Sequence, residues 1–252
     1  MISSTPQDVF LGVNWHNIVR SLWVGPALSA MERLCIQSFL AHGHEFHLYV
    51  YEDVRNIPAG TIVRDAREIL PSSRIFEYAQ FPGTYAGFAN FFRYKMLLEQ
   101  GGWWTDMDVV CMRRFDFDRD YVFSSEGIRA ERLVNCGVIK APPGSDIMRR
   151  AWLECDGLDT TTLRWGVTGP RLTTRLVQEF GIAKCVEPPE SFMPYDYPEF
   201  EIALDGSTQY DFPDAYGIHL WHEWWRRHGK DRDGRYPPEC LYERLKRRYG
   251  VE

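Results

Sequence analysis

Two aspartates separated by one residue, Asp106 and Asp108, form the pattern in this chain that is best suited to chemistry. They lie in a segment, residues 103–112, that is predicted to be a strand, where side chains at i and i+2 point to the same face. Two such close charges are costly unless a cation lies between them, and a hard divalent metal that also binds phosphate oxygens would satisfy both. The alternative is a pair of surface acids at a strand end. The helix, double glycine and two tryptophans around the pair favour a functional site.

Asn90 and Arg93 are polar residues on the helix that precedes the aspartates. They are three positions apart and therefore neighbours on one helix face. Phe92 lies about 200° around the helix from Asn90, so the pair faces away from the aromatic residues of the same helix. This face either points to water or directs a guanidinium and an amide into a cleft beside the carboxylates, where they would bind oxyanions and hydroxyls.

Two histidines near the end of the chain, His219 and His222, form a second candidate site. A neutral imidazole is a competent third ligand for Mn²⁺. We favour His219, because the strand-like residues 216–219 would direct it inward, and the alternative is a histidine that is hydrogen-bonded inside a tryptophan-rich core. Thr168 and Gly169 precede Pro170, where glycine would allow close backbone approach, although a plain helix start explains the same residues.

The elements that must position these residues alternate between strand and helix patterns, which predicts an α/β layer fold. Ser29 is a predicted helix start, and Gly101 with Gly102 is a predicted helix stop. The Pro- and aromatic-rich residues 187–214 are predicted to cover the core irregularly. Predicted strands span residues 18–24, 46–51, 103–112, 121–124 and 134–140, and predicted helices span 28–41, 61–70, 85–100, 145–155, 170–180 and 238–249.

Composition narrows the class of protein. The 252 residues are 44% hydrophobic, which excludes global disorder, and the net charge of −6 argues against a dedicated nucleic-acid binder. No apolar run approaches the roughly 20 residues needed to cross a bilayer, and the first residues lack a signal-peptide layout. Six scattered cysteines favour reduced thiols, so we expect a cytoplasmic protein. The basic C-terminal helix is expected to be solvated, with peripheral contact at the inner membrane face as the alternative.

The order of these motifs resembles the sugar-binding region of DXD glycosyltransferases. Residues 88–94, followed by Gly101 to Asp108, are similar to the Ser-Asp-x-x-Arg helix and the Gly-Gly-x-Tyr-x-Asp-x-Asp motif of that family. Family 32 enzymes such as yeast-type mannosyltransferases and α-1,4-galactosyltransferases share it, and the glucosylating domain of clostridial toxins is similar. Residues 21–25, Asn135 and residues 168–170 extend the resemblance over about residues 17–225.

The resemblance implies one GT-A domain over residues 1–252, a Rossmann-like nucleotide-diphospho-sugar transferase fold with a central mixed sheet. It also implies a retaining enzyme that uses Mn²⁺ or Mg²⁺ to move a hexose from UDP- or GDP-hexose to a glycan or lipid-linked acceptor. Carried over residue by residue, it makes Arg93, Asp106 and Asp108 catalytic. The implied metal ligands are Asp106, Asp108, His219 and His222, and the implied donor-binding residues are Trp23, Asn90, Arg93, Trp104, Asp106, Asn135, Thr168 and Gly169.

Two departures from the family pattern affect the expected donor site. Asn90 replaces the usual Asp, so one acceptor of sugar hydroxyls keeps its shape and loses its charge. Trp104 replaces Tyr, which removes a phenolic hydroxyl. Two alternatives stay open: a haloacid-dehalogenase-type phosphatase with Asp106 as nucleophile, and a carbohydrate-binding protein without catalysis.

Overall fold

A six-stranded mixed sheet forms the centre of the protein, in a computed structural model that describes residues 15–127 and 131–251. Its strands lie in the order β3 (Ile62–Asp65), β2 (Glu45–Val50), β1 (Ile18–Trp23), β4 (Gly102–Thr105), β7 (Leu133–Ala141) and β6 (Val122–Glu126). The first four of these strands are parallel to one another, while β7 is antiparallel to both β4 and β6. The predicted α/β class with a central mixed sheet is confirmed. A separate two-stranded sheet consists of β5 (Val109–Cys111) and β8 (Gly217–His219).

Strand direction decides which residues share an edge of the sheet. Because β7 runs antiparallel to both of its neighbours, β6 is parallel to β4 and β1. The carboxyl ends of β1, β4 and β6 therefore lie at one edge, together with the amino end of β7. Ligands of open α/β sheets bind outside the carboxyl ends of the strands, so this is the edge where a site is expected.

Among the described residues, six α-helices accompany the two sheets. In the first helix the Ser29 hydroxyl accepts a hydrogen bond from the Met31 N–H, and the Glu32 carboxylate accepts one from the Ser29 N–H at 2.7 Å, which completes a capping box. The predicted helix start at Ser29 is therefore confirmed. The helices are α1 (Ala30–Ala41), α2 (Ala86–Gln100), α3 (Asp146–Asp156), α4 (Pro170–Glu179), α5 (His222–Arg227) and α6 (Leu241–Arg248), and short 3₁₀ turns span Trp15–Asn17, Ala66–Glu68, Ser72–Arg74, Ala183–Cys185, Pro189–Ser191 and Tyr197–Ala203.

The hydrophobic core consists of two clusters. Neighbouring residues of the same strand belong to different clusters. Trp103 and Val138 belong to the cluster that contains α1, α6 and the residues around Phe192. Trp104 and Ile139 belong to the other cluster, which contains α2, α3 and α4. Successive strand residues point to opposite faces, so the sheet is buried on both sides.

The helix α2 and the strand β4 that follows it bring the central motif to the edge of the sheet. Phe88, Phe92 and Met96 of α2 are fully buried, as their helical spacing predicts. Gly101 ends α2 with φ +63°, a left-handed conformation that glycine adopts without steric cost. A side chain at Gly101 would also bring its Cβ within 2.5 Å of Pro143.

The predicted single strand over residues 103–112 is wrong in its middle. Residues Asp106 to Asp108 form a turn between β4 and β5, in which the Val109 N–H donates to the Asp106 carbonyl at 3.2 Å. The reason is that β5 leaves the main sheet and pairs with β8. The two carboxylates are therefore brought together by a turn rather than by one face of a strand.

The predicted helix over residues 61–70 is also wrong. This segment contains β3, which pairs in parallel with β2, followed by a 3₁₀ turn at Ala66–Glu68. The β-branched residues Thr61, Ile62 and Val63 favour an extended edge strand.

Residues 187–214 contain 3₁₀ turns but neither an α-helix nor a strand. Phe192, Met193 and Phe200 of this segment are buried against the first cluster, so the segment covers the core as predicted.

The C-terminal helix α6 uses its basic residues in contacts within the protein. Arg247 donates to the Pro238 carbonyl at 2.6 Å, Arg244 donates to the Tyr210 carbonyl, and Lys246 pairs with Glu243 at 2.7 Å. Membrane contact through this helix remains a prediction. Among the described helices, none combines the length and the apolarity needed to span a bilayer.

Candidate active site

A cleft of about 1140 Å³ lies at the edge of the sheet where β1, β4 and β6 end. The end of β1, the polar face of α2, the turn after β4, the start of α4 and the chain from β8 through α5 all contribute to its walls. Sequence-predicted site residues that line the cleft are Trp23, Asn90, Arg93, Trp104, Asp106, Asp108, Asn135, Gly169, His219 and His222. Thr168 is buried behind Asn90 and is not part of this lining.

Asp106, Asp108 and His219 come together inside this cleft. One ligand atom from each residue can be chosen so that all three atoms lie within 4.8 Å of one another. His219 reaches the aspartates because β8 pairs antiparallel with β5, with His219 opposite Val109. His219 Nε2 lies 3.1 Å from Asp108 Oδ1. The favoured histidine is therefore the one that joins the carboxylates.

The charged groups of this cluster shift one another's pKa values. Burial opposes the charge on Asp108, but His219 and the backbone N–H of His222, which donates to Asp108 Oδ2 at 2.8 Å, lower the pKa of Asp108 to about 2. Burial likewise disfavours the imidazolium of His219, but Asp108 outweighs it and raises the pKa of His219. Burial and the nearby Asp108 carboxylate raise the pKa of Asp106, while Arg93 opposes that shift. The side chain of His222 is not part of the three-residue cluster.

The cluster fits a hard divalent cation. Two carboxylates and one imidazole are ligand types that suit Mn²⁺ and, for the carboxylates, Mg²⁺. His219 Nδ1 is buried, and it has no hydrogen-bond partner among residues 15–127 and 131–251. A cation would also relieve the repulsion between Asp106 and Asp108, which raises the pKa of Asp106.

Asn90 and Arg93 point into the cleft rather than into solvent. Arg93 is only 2% exposed, and its Nη2 donates to Asp106 Oδ1 at 2.5 Å while its Nη1 donates to Asn90 Oδ1 at 2.6 Å. Burial disfavours the charge on Arg93, but Asp106 outweighs it and raises the pKa of Arg93. Arg93 therefore fixes the orientation of Asp106 through a buried ion pair.

Asn90 uses both ends of its amide within the protein. Its Oδ1 accepts from Arg93 and from the Cys136 thiol, and its Nδ2 donates to Thr168 Oγ1 at 3.1 Å. An amide is suited to this position because Arg93 requires an acceptor, which Oδ1 provides, and Thr168 accepts from the donor Nδ2. The Asn that replaces the usual Asp at position 90 thus uses its NH₂ group to bind Thr168.

Trp104 supplies a donor to the cluster. Its indole N–H donates to Asp106 Oδ1 at 2.8 Å, and Arg93 lies over the ring at 4.8 Å from the centroid. Asp106 Oδ1 therefore accepts from both Arg93 and Trp104, and Oδ2 faces Gly137. The second departure from the family pattern replaces a phenolic hydroxyl with an indole N–H that holds a carboxylate.

Gly137 and Gly169 allow the backbone to approach these side chains closely. A Cβ at Gly137 would lie 2.9 Å from Asn135 Oδ1, 3.3 Å from Asp106 Oδ2 and 3.5 Å from His219 Cε1. A Cβ at Gly169 would lie 3.4 Å from Asn90 Nδ2. Asn135 is held in place because its Oδ1 accepts from the Gly137 N–H at 2.5 Å.

The cleft also contains charged residues that the sequence motifs do not indicate. Glu126, the last residue of β6, lies in its wall. Glu126 reaches the same edge as Asp106 because it ends a strand that runs parallel to β4, and the sequence carries no signal for this direction. Arg226 and Arg227 on α5 also line the cleft, and both pair with Glu223 at 2.8 Å. Arg226 joins α5 to the opposite wall by donating to the Pro82 carbonyl at 3.2 Å.

Comparison with known protein families gives one match. Residues 29–126 match the family model described as "Glycosyltransferase sugar-binding region containing DXD motif". The match includes α1, α2 and both aspartates of the cluster. For this part of the chain, it confirms the resemblance that the sequence motifs indicate.

Solved structures provide a second comparison. The chain is similar to "PaToxG Glycosyltransferase" at 13% identity and a TM-score of 0.48, over 94% of this chain and 86% of that chain. It is also similar to the apo-form glycosyltransferase GlyE of Streptococcus pneumoniae TIGR4, at 14% identity and a TM-score of 0.42, over 95% of this chain and 65% of that chain. Among curated proteins, no sequence matches.

Proposed function

We propose that this protein is a retaining, metal-dependent glycosyltransferase. It moves a hexose from a UDP- or GDP-linked donor to a hydroxyl of a glycan or lipid-linked acceptor. This proposal rests on the proximity of Asp106, Asp108 and His219 in the cleft. The buried Arg93 lies beside them and forms an ion pair with Asp106. The family match over residues 29–126 supports sugar transfer as the chemistry.

Asp106, Asp108 and His219 would hold the Mn²⁺ or Mg²⁺ ion. When bound, such an ion neutralises charge on the diphosphate as the glycosidic bond breaks. Arg93 and Trp104 both donate to Asp106 Oδ1, and neither of these hydrogen bonds uses Oδ2. Because these donors are buried and fixed, the carboxylate is positioned in advance of substrate binding.

The donor sugar is proposed to lie between α2 and the start of α4. Asn90 retains one amide proton beyond its bond to Thr168, which suits a single sugar oxygen. Gly169 permits that approach because it carries no side chain. Trp23, at the end of β1, has a buried indole N–H without a partner among the described residues, and it lines the same cleft. It is proposed to contact the nucleotide.

The proposed reaction is a front-face displacement. The acceptor oxygen forms a bond to the anomeric carbon on the face from which the diphosphate leaves, so the anomeric configuration is retained. The acceptor proton passes to the departing phosphate oxygen. Asp106 is not assigned as a nucleophile, since its Oδ1 accepts two hydrogen bonds and its carboxylate is one of the three proposed metal ligands.

The test is a panel of nucleotide sugars incubated with Mn²⁺, Mg²⁺ or a chelator. Release of nucleoside diphosphate that requires the metal supports the proposal, and NMR of a transferred product should show the donor's anomeric configuration. Release of phosphate from phosphomonoesters would favour the phosphatase alternative instead. Sugar binding without turnover would favour the non-catalytic one.

A further inference from the structure

Glu126 occupies the same edge of the sheet as the metal cluster, on the wall formed by β6 and β7. It ends β6 opposite Leu133 of β7, and it lies in the lining of the cleft. Its carboxylate is not one of the three groups that converge on the proposed cation. Glu126 is therefore an additional carboxylate in the cleft, with a position of its own.

One oxygen of Glu126 is engaged within the protein. Its Oε2 accepts a hydrogen bond of 2.6 Å from Asn135 Nδ2, and Asn135 is itself fixed by the Gly137 N–H. Across the described parts of the chain, Glu126 forms no ion pair with a lysine or arginine, and its second oxygen has no hydrogen bond. A half-buried carboxylate that is paired with neither a lysine nor an arginine is costly for folding, so packing alone gives no reason for it.

The geometry points to Glu126 as the residue that binds an acceptor hydroxyl adjacent to the one that reacts, and to a neutral sugar as the acceptor. This inference rests on the proposed glycosyltransferase function. A carboxylate oxygen accepts a hydrogen bond from this adjacent hydroxyl, and the reacting hydroxyl keeps its proton for the departing phosphate oxygen. The negative charge of Glu126 itself disfavours an acceptor that carries a carboxylate or a phosphate next to the bound hydroxyl.

The arrangement of Asn135 makes the isosteric substitution Glu126→Gln informative. Asn135 Nδ2 is a donor, so it would bind the carbonyl oxygen of the new amide. The NH₂ group would then point into the cleft, where the wild type presents an acceptor. The variant thus keeps the shape of the wall while it removes the charge and reverses the hydrogen-bonding polarity.

The experiment measures nucleoside diphosphate release with Mn²⁺ and the active donor, at increasing concentrations of six acceptor probes. The probes are the methyl α- and β-pyranosides of glucose, galactose and mannose. At least one probe should stimulate release by the wild type, and the kcat/KM for that probe should fall at least tenfold in Glu126→Gln. The fold-loss in kcat/KM for the probe should be at least ten times the fold-change in the KM of the donor. Glu239→Gln, at an exposed position away from the cleft, is the matched control.

The outcomes separate the acceptor assignment from the function on which it rests. No release by the wild type with any donor would reject the glycosyltransferase function, and the assignment with it. Release that no probe stimulates would reject a neutral sugar as acceptor. Equal losses for donor and acceptor, or a probe kcat/KM within twofold of wild type, would reject the role of Glu126. If Glu126→Gln has a lowered Tm, Glu126→Asp provides the test, because it keeps the charge and should lose acceptor kcat/KM by shortening the side chain.

Discussion

The substitution Gly137→Ala would place one methyl group at the point where the site residues meet. Gly137 has no positive φ, so alanine fits its backbone and the effect is steric. The new Cβ would lie 2.9 Å from Asn135 Oδ1, a separation that requires a shift, and 3.3 Å from Asp106 Oδ2. Displacing the Asn135 amide weakens one hydrogen bond, which costs about 1 kcal/mol of stability. Moving Asp106 by a few tenths of an ångström should lower metal-dependent donor cleavage about tenfold, since functional groups must be held within roughly 0.5 Å.

Chemical denaturation and the kcat/KM for donor cleavage would measure these two effects separately. Gly157→Ala is the matched control, because Gly157 has φ −83° and the Cβ would meet only the Leu153 carbonyl at 3.7 Å. Donor cleavage by Gly137→Ala at the wild-type rate would refute the argument that Asp106 and Asn135 form the reactive site. A large loss of stability, of several kcal/mol, would instead mean that the methyl group disrupts the sheet.

Two further predictions concern Arg93 and His44. Arg93→Lys should lower kcat/KM for the donor at least a hundredfold, because one ammonium cannot reproduce the separate hydrogen bonds to Asp106 and Asn90. The control is Arg149→Lys, at an exposed position. A kcat/KM of Arg93→Lys within threefold of wild type would contradict this prediction. Burial lowers the pKa of His44 to about 4, so the unfolded chain takes up the proton first as the pH falls below about 6.5. Between pH 7 and 5, this proton uptake should reduce the free energy of unfolding by about 2 kcal/mol more in the wild type than in His44→Gln. Denaturant titrations that show the same pH dependence for both proteins would refute the prediction.

The sequence predicts those structural features that are determined by residues only a few positions apart in the chain. The capping box at Ser29, the aromatic spacing of α2 and the glycine stop at Gly101 are all encoded within a few positions, and the structure confirms each of them. The helix predicted over residues 61–70 is wrong because pairing with β2, a long-range contact, decides the conformation of that segment.

The candidate site shows the same division between local and long-range information. The polar face of α2 follows from helical periodicity, and the motif order identifies both aspartates. Their turn conformation could not be predicted, because it depends on β5 pairing with β8 about a hundred residues later. The contact of His219 with Asp108 results from that same pairing. Glu126 was missed because its position depends on the direction of β6 in the sheet.

The most direct test of the metal-dependent glycosyltransferase assignment is the rate of nucleoside diphosphate release from the active donor as a function of free Mn²⁺ concentration. The wild type should show a saturable dependence on the ion. Asp108→Asn should lose nearly all of this activity, because a charged ligand becomes neutral, while Asp118→Asn, at an exposed position outside the cleft, should behave as wild type. Donor cleavage that is independent of Mn²⁺, or an Asp108→Asn variant with the wild-type Mn²⁺ dependence, would contradict the assignment of the cluster.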